Sequence, residues 1–491
     1  MTAVTILYGV PVVLLVSAVV RRLDEAGAAH APRASASAWL LVAPLVASAL
    51  LPQLWFPVVE GWLDLVGCLP ILAIFWLLAR EPLAPSHGRA LAIGVLLGLL
   101  PLLRRWYAFF TASFLLVYAV ALLGAAWRER ARGGGFASSL RSRGALLALL
   151  AGATAVVLLP LTGAVGERVF LRDHVFVQAP YRSTAGVFGA ALRLWTYFGS
   201  LTLAGAAVGL VFALREPGTR VFAALFAIQA AAMLLAFNAV QTFGENHFYL
   251  LLPLFLVLES LALVRVLEAI RSSAARAVCF VVVLALLLVN FSAVLLPREL
   301  GRFTKRDGAA VEALFGRVAY TPAARADLEE VARLARFVGS VRPESRPVYV
   351  LASSPTLNPD VLRNARLSLP ERPEIPDLRT RIATGSHVDR RDGFPEALVA
   401  AEVIVTADPP QTHLAPSEQQ VIVVPLEEIR AGTTIGQGLR ALPETFRLRN
   451  GVVARVHVRD RPLAAEDRRA FEARLAATHP EKPDLLLPRE P

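Results

Sequence analysis

The chain has 491 residues, 55% of them hydrophobic, and a mean hydropathy of +0.54, which is too apolar for a soluble protein of this length. Its net charge of +11 is unevenly placed: residues 301–491 hold 28 Lys+Arg against 26 Asp+Glu, leaving 22 against 13 in residues 1–300. The basic excess therefore belongs to loops of an apolar region facing anionic headgroups, with no nucleic acid as partner. The two cysteines, Cys68 and Cys279, both lie in apolar runs, which excludes a disulfide framework and a Cys-based metal site.

In chain order, ten apolar runs read as spanning helices: 4–20, 39–58, 63–79, 90–103, 106–125, 145–165, 196–214, 221–239, 248–264 and 278–296. Several are shorter than the roughly 20 residues a perpendicular helix needs, which implies tilt. The loops after Val20, Ala79, Ala125, Leu214 and Val264 carry fifteen arginines, and the opposite side carries seven. Positive residues stay cytoplasmic, so the N-terminus and everything after Leu300 are expected outside the cytosol, in contact with membrane lipids only through residues 1–300. The start MTAVTILYGV lacks a basic leader, and Arg21 and Arg22 follow the first run; it reads as a helix inserted with its N-terminus outward rather than as a cleavable signal.

After Leu300 the texture becomes that of a soluble domain, so the expected fold class is a polytopic α-helical membrane protein with a C-terminal extracytoplasmic α/β domain over 301–491. Thr321-Pro322 reads as a helix start, and Leu328, Val331, Leu334, Ala335 and Val338 follow at helical spacing. The short apolar runs 347–352, 402–407 and 420–425 read as buried strands. Residues 446–448 and 452–458 flank Asn450-Gly451 as a hairpin. A small mixed sheet with helices is expected.

Three tight turns on the outer side carry polar groups. The first holds Glu60 and Asp64, either of which could act as general base toward a sugar hydroxyl or cap a helix start. The second is Arg104-Arg105-Trp106-Tyr107, where two guanidiniums sit on the side that disfavours positive charge. Arg suits bidentate phosphate recognition, and Trp106 and Tyr107 suit contact with a lipid tail; snorkelling to headgroups is the competing role. The third runs from Gln241 to Tyr249 and includes Glu245, His247 and Tyr249, a cluster fit for a hydroxyl-rich or phosphate ligand, or simply a solvated loop.

Weaker candidates are Glu259 inside an apolar run, either functional or paired with Arg265, and the outer segment 167–193, long enough for an interfacial helix. In the soluble part, His387-Val388-Asp389-Arg390-Arg391-Asp392-Gly393 with Asp408, His413 and Glu418 is the densest polar run. It shows no metal-ligand spacing and reads as a surface loop of paired charges. No ligand set for a divalent metal is identifiable, and any cofactor stays unassigned. Neither a nucleophile elbow, a P-loop nor a dinucleotide fingerprint occurs.

The stretch from Gly94 and Gly98 through Pro101 to Arg104-Arg105 resembles the glycine-rich helix with a basic outer turn of GT-C-fold glycosyltransferases. His247-Phe248-Tyr249 before Pro253 is similar to a His-x-Tyr…Pro feature of several members. Trp55, Pro57, Gly61 and Asp64 look like an early outer loop in bacterial relatives of the protein O-mannosyltransferase branch. The resemblance covers about residues 1–300. It implies an inverting membrane glycosyltransferase that moves a sugar from a polyprenyl-phosphate-linked donor to an extracytoplasmic acceptor. Asp64 or Glu60 would deprotonate the acceptor, Arg104 and Arg105 would bind donor phosphate, and Trp106, Tyr107, Glu245, His247 and Tyr249 would contact substrate. Members typically begin with an outward-running helix and a long acidic outer loop, whereas this chain begins with a helix running inward. An upstream helix and acidic loop are therefore expected either to precede Met1 or to have been lost.

Two other classes compete: a flippase or transporter of lipid-linked saccharides, and a non-catalytic binding protein anchored by its helices. Paired broken helices in related halves, the mark of many transporters, are not seen, and ten spans exceed what an anchor needs.

Overall fold

The computed structural model describes residues 2–28, 39–55, 63–159, 174–182, 186–295, 313–316, 325–341, 347–369 and 371–488. Packing divides the chain into two units, one of residues 1–174 with 182–323 and one of residues 175–181 with 324–491.

The first unit is helical. Its long helices are α1 (Thr2–Ala28), α2 (Trp39–Ala49), α3 (Cys68–Leu78), α4 (His87–Leu103), α5 (Tyr107–Ala131), α6 (Phe136–Leu158), α7 (Gly186–Arg215), α8 (Arg220–Val240), α9 (Leu252–Ala269) and α10 (Ser273–Leu295). Over the described residues, each predicted span overlaps one of them. Among the described residues, five helices are long and apolar enough to cross a membrane, namely α5, α6, α7, α8 and α10, which makes this a multi-pass membrane protein. The expectation of ten spans goes further than that measure. Helices α2, α3 and α4 have only 11, 11 and 17 residues, and α1 and α9 carry several charges near one end.

Those charges hold one end of the bundle together. Arg265 on α9 is 5% exposed and bonds Asp24 on α1 at 2.7 Å, Glu216 after α7 at 2.8 Å and Glu268 at 2.9 Å. Glu25 pairs with Arg80, and Arg143 on α6 reaches Glu129 and the Leu83 carbonyl, each at 3.3 Å. These are the ends that the arginine count assigns to a single face, so the bundle brings together the loops that the charge pattern groups. Glu259 is not in this network: it packs against Gly205 of α7, and its Oε2 has no hydrogen-bond partner among the described residues.

Small residues set the helix spacing. Cβ atoms on Gly94 and Gly98 of α4 would lie 2.4 Å from the Leu150 carbonyl and 2.6 Å from Val157 of α6, and the Thr154 hydroxyl donates to the Gly94 carbonyl at 3.0 Å. A Cβ at Gly209 would sit 1.9 Å from the Leu258 carbonyl, so α7 and α9 touch backbone to backbone. Helix α7 is broken at Gly199 (φ 75°), where a Cβ would meet the Gly316 backbone at 2.3 Å. The part before the break, with Arg193, exposes Val187, Phe188, Leu192 and Trp195, as an interfacial helix does.

The second unit is a four-stranded mixed sheet, order β1-β2-β4-β3, with β1 (Val348–Val350), β2 (Val403–Asp408), β3 (Leu439–Arg447) and β4 (Val453–Arg459). β1 and β2 are parallel, while β2–β4 and β3–β4 are antiparallel. Alternation along the strands buries Val348, Val350, Val403 and Val405 against α11 (Leu328–Ser340) on one face. It buries Tyr349, Leu351 and Ile404 against α12 (Gln420–Ala431) and α13 (Ala465–Ala476) on the other. Asn450 (φ 60°) and Gly451 (φ 73°) turn the chain between β3 and β4. Thr321 and Pro322 lie outside the described residues, and Asp327 occupies the cap position of α11.

Two expectations are corrected here. The run 420–425 is not a strand but the start of α12. Its first N–H groups, those of Gln420 and Val421, donate to the Asp389 carboxylate at 2.9 and 3.0 Å, a tertiary cap that local propensity does not show. The charged run 387–393 is a loop of paired charges only in part: Arg390 pairs with Glu418 at 3.2 Å and Arg391 with Asp392 at 2.7 Å, but not every member is at the surface. Asp389 is fully buried and also bonds His479 Nε2 at 2.9 Å, while Asp392 accepts from the His387 and Val388 N–H groups.

Candidate functional site

At the bundle end opposite the Arg265 network, the described residues of the three polar turns meet. The first contributes a 3₁₀ turn, Leu63–Gly67, which packs against the 3₁₀ turn Glu245–Leu250 of the third. Gly67 lies under the ring of Tyr107: a Cβ there would be 2.1 Å from Tyr107 Cζ. Cys68 Sγ faces the Tyr249 carbonyl at 3.8 Å. The second and third turns join through Trp106, whose ring stands edge-on to His247 at 5.0 Å between centroids.

The second turn is shaped by the end of α4. Arg104 is extended (φ −159°, ψ 131°), and its N–H still bonds the Leu100 carbonyl, so the chain turns sharply into α5. This leaves Arg104 half-buried and Arg105 exposed, with the Arg105 guanidinium 4.1 Å above the Trp106 ring. Tyr107 is 2% exposed and so does not lie against lipid as its position in the sequence implies.

His247 is buried among Phe237, Phe243 and Trp106. The Gly244 N–H donates to its Nδ1 at 3.0 Å, which leaves the proton of a neutral ring on Nε2. Nε2 lies 3.2 Å from the Gln241 side-chain nitrogen. Burial, reinforced by the positive charge of Arg104 and Arg105, lowers the imidazole pKa to about 3. His247 is therefore neutral, a hydrogen-bonding wall beside two fixed cations. The Asn238 side chain accepts from Phe243 N–H at 3.3 Å and holds the turn open.

Of the other predicted site residues, Glu60, with Pro57 and Gly61, lies outside the described residues, and Asp64 and Glu245 are described only as positions in their 3₁₀ turns. Tyr249 is buried at 1% exposure. Phe237 and Phe243 pack on the His247 ring and Asn238 accepts from the Phe243 N–H; none of the three is singled out by the sequence, because two phenylalanines and an asparagine near a span end carry no distinctive pattern. Gln53 is another: fully buried, it donates to the Tyr197 carbonyl at 2.9 Å, and its Oε1 has no partner among the described residues. No group of three or more His, Cys, Asp or Glu side chains that could hold a metal ion occurs among the described residues.

No protein-family model matches the chain, and no curated protein matches it. One similar solved structure is the crystal structure of ArnT from Cupriavidus metallidurans bound to undecaprenyl phosphate. It has a TM-score of 0.47 and 14% sequence identity, over 92% of this chain and 83% of that one. Likeness at that level does not fix a common fold, and the chemistry of the site is taken from its own residues.

Proposed function

We propose that the protein is a membrane glycosyltransferase of the GT-C type, transferring a sugar from a polyprenyl-phosphate-linked donor to an extracytoplasmic acceptor with inversion. The observation that carries this is the convergence of the three polar turns at one end of the bundle, with Arg104 and Arg105 beside a neutral His247 and the Trp106 ring. A lipid phosphate needs cations at the membrane surface and an apolar path for its chain. The paired guanidiniums at the end of helices α4 and α5 supply the first, and the aromatic flank of Trp106 begins the second. The leaving phosphate develops charge as the glycosidic bond breaks, and guanidiniums held by a rigid turn stabilise it without reorganisation. Because His247 stays neutral, it adds hydrogen bonding without competing for the anion.

Asp64, on the turn packed against residues 245–250, is the proposed base, with Glu60 as the other carboxylate of that loop. Trp106, Tyr107, Glu245, His247 and Tyr249 are proposed to contact donor or acceptor directly or to shape the pocket. The kinship with the protein O-mannosyltransferase branch, carried by Trp55, Pro57, Gly61 and Asp64, and an outward-facing C-terminal unit belong to the same proposal.

Sugar transfer from a panel of polyprenyl-phosphate sugars in proteoliposomes tests it. Wild type is expected to transfer from at least one donor. Arg105→Ala and Asp64→Asn, inserted normally, are expected to lose about 10²-fold or more, the scale of a lost charge-assisted contact or general base. Transfer from no donor by wild type would refute the enzyme assignment in favour of lipid-linked saccharide transport or binding.

A further inference from the structure

The second unit holds a polar constellation that the transferase chemistry does not use. It sits at the carboxyl ends of the parallel neighbours β1 and β2, where open α/β sheets place ligands. Ser353 follows β1 by three residues, and its N–H donates to the Gln411 carbonyl at 2.8 Å in the loop after β2. That loop delivers His413, whose Nδ1 lies 2.9 Å from Ser353 Oγ. Ser353 is half-buried and His413 is exposed, so the pair is open to a ligand.

The hydrogen bonds of Gln419 orient the serine hydroxyl. Gln419 Oε1 accepts from the N–H groups of His413 and Leu414, both at 2.8 Å, which orients its amide. The Gln419 NH₂ then donates to the His387 carbonyl and, of Ser353 Oγ at 2.9 Å and His413 Nδ1 at 3.2 Å, to the nearer Ser353 Oγ. With Ser353 Oγ accepting from Gln419, its own proton is left for His413 Nδ1. The imidazole is therefore Nε2-protonated. On that side Nε2 approaches Tyr181 Oη at 3.5 Å, and Arg391 Nη1 donates to the same phenol at 3.0 Å. Arg391 is in turn held by Asp392 at 2.7 Å.

We propose that Ser353 and His413 form a nucleophile–base pair that accepts acyl groups from ester substrates, with Gln419 and Tyr181 as positioning residues. Ser353 Oγ attacks the ester carbonyl carbon and forms the new C–O bond while its proton passes to His413 Nδ1. The bond to the leaving alcohol then breaks, and the alcohol takes that proton. Water, deprotonated by the same imidazole, cleaves the acyl-serine to a carboxylic acid and restores the hydroxyl. The groups that face His413 are Arg391, Asp392, His387 and Tyr181. Partial desolvation by the neighbouring side chains first, then Arg391, holds its pKa below the ordinary histidine value.

The test is labelling of the full chain in nanodiscs with an alkyl fluorophosphonate, in which Ser353 Oγ–P forms, P–F breaks and fluoride leaves. Peptide mass spectrometry is expected to place the adduct on Ser353 rather than the adjacent Ser354, at least tenfold faster than in His413→Ala. The wild-type rate is expected to stay level from pH 8 down to the ordinary histidine value and to fall only below it. An unactivated hydroxyl would instead slow about tenfold per pH unit throughout. Absence of a Ser353 adduct, an unchanged rate in His413→Ala, or that log-linear profile would overturn the proposal. None of these outcomes depends on sugar transfer.

Discussion

Gly67 joins the first outer turn to the second, and substituting it tests whether the site is one packed object. An alanine Cβ at this position would lie 2.1 Å from Tyr107 Cζ and 2.3 Å from both Cε2 and Oη. Carbon contacts settle near ~3.5–4.0 Å, so ring and turn must separate by more than an ångström. Tyr107 is 2% exposed and begins α5, so its ring has no solvent to swing into. Overpacking of that kind costs about 1–3 kcal/mol. Because Trp106 is the preceding residue, the displacement also shifts its ring from the edge-on contact with His247. Misplacement on this scale lowers a positioned reaction by about 10²-fold. The assays are melting temperature in detergent and sugar transfer in proteoliposomes, with Gly124→Ala in the same helix as control. A Cβ at Gly124 meets nothing within 4 Å, and alanine there is expected to be neutral or to stabilise by up to about 1 kcal/mol. A double-mutant cycle with Tyr107→Ala should show a coupling of about 1 kcal/mol or more. If the Gly67→Ala and Tyr107→Ala costs simply add, or if Gly67→Ala behaves like Gly124→Ala, the turns are not packed as described.

Two further outcomes concern the second unit. Asp389→Ala removes a fully buried carboxylate that accepts from the first two N–H groups of α12 and from His479. Three donors lose their acceptor, and a loss of about 3 kcal/mol or more is expected, visible as faster hydrogen exchange across α12; protection equal to wild type would count against the tertiary cap. Burial lowers the pKa values of His387 and His457 to about 4. Their folded values lie below the unfolded value of 6.5, so the unfolded chain binds protons first as the pH drops. Their contribution is intact above pH 6.5 and is lost progressively between about pH 6.5 and 4, by about 3 kcal/mol for each fully titrated group. Exchange rates in β1 and β2 should climb over that window, and a flat profile would contradict the burial of both rings.

How much of this could be read from the sequence depends on which residues carry a local signal. The apolar runs and the arginine asymmetry both have physical causes that act residue by residue, the transfer of side chains into lipid and the retention of cations in the cytosol. Each run accordingly matches a helix, and the loops grouped by charge are tied by Arg265, Arg80 and Arg143. Boundaries were less legible: the run starting at Phe248 becomes helical only at Leu252, because residues 245–250 form a 3₁₀ turn ahead of Pro253. The run 420–425 has the look of a strand because Val421, Ile422, Val423 and Val424 are β-branched, while the group that makes it helical, Asp389, lies more than thirty residues upstream.

The candidate site divides along the same line. Arg104, Arg105 and His247 stand out in the sequence because cations and a histidine at an outer turn are costly without a purpose, and the structure brings their turns together. Phe237 and Phe243 do not stand out, since a phenylalanine at the end of a span is indistinguishable from one facing lipid. Yet these rings, with burial, keep His247 neutral. The paired cations therefore face an uncharged wall rather than a third positive group. Ser353 and His413 show the limit most plainly: sixty residues separate them, neither sits in a recognised motif, and only the parallel register of Val348–Val350 with Val403–Val405 sets their strand ends side by side. Chemistry assembled at strand ends is a property of topology, and topology is what periodicity in a single sequence does not encode.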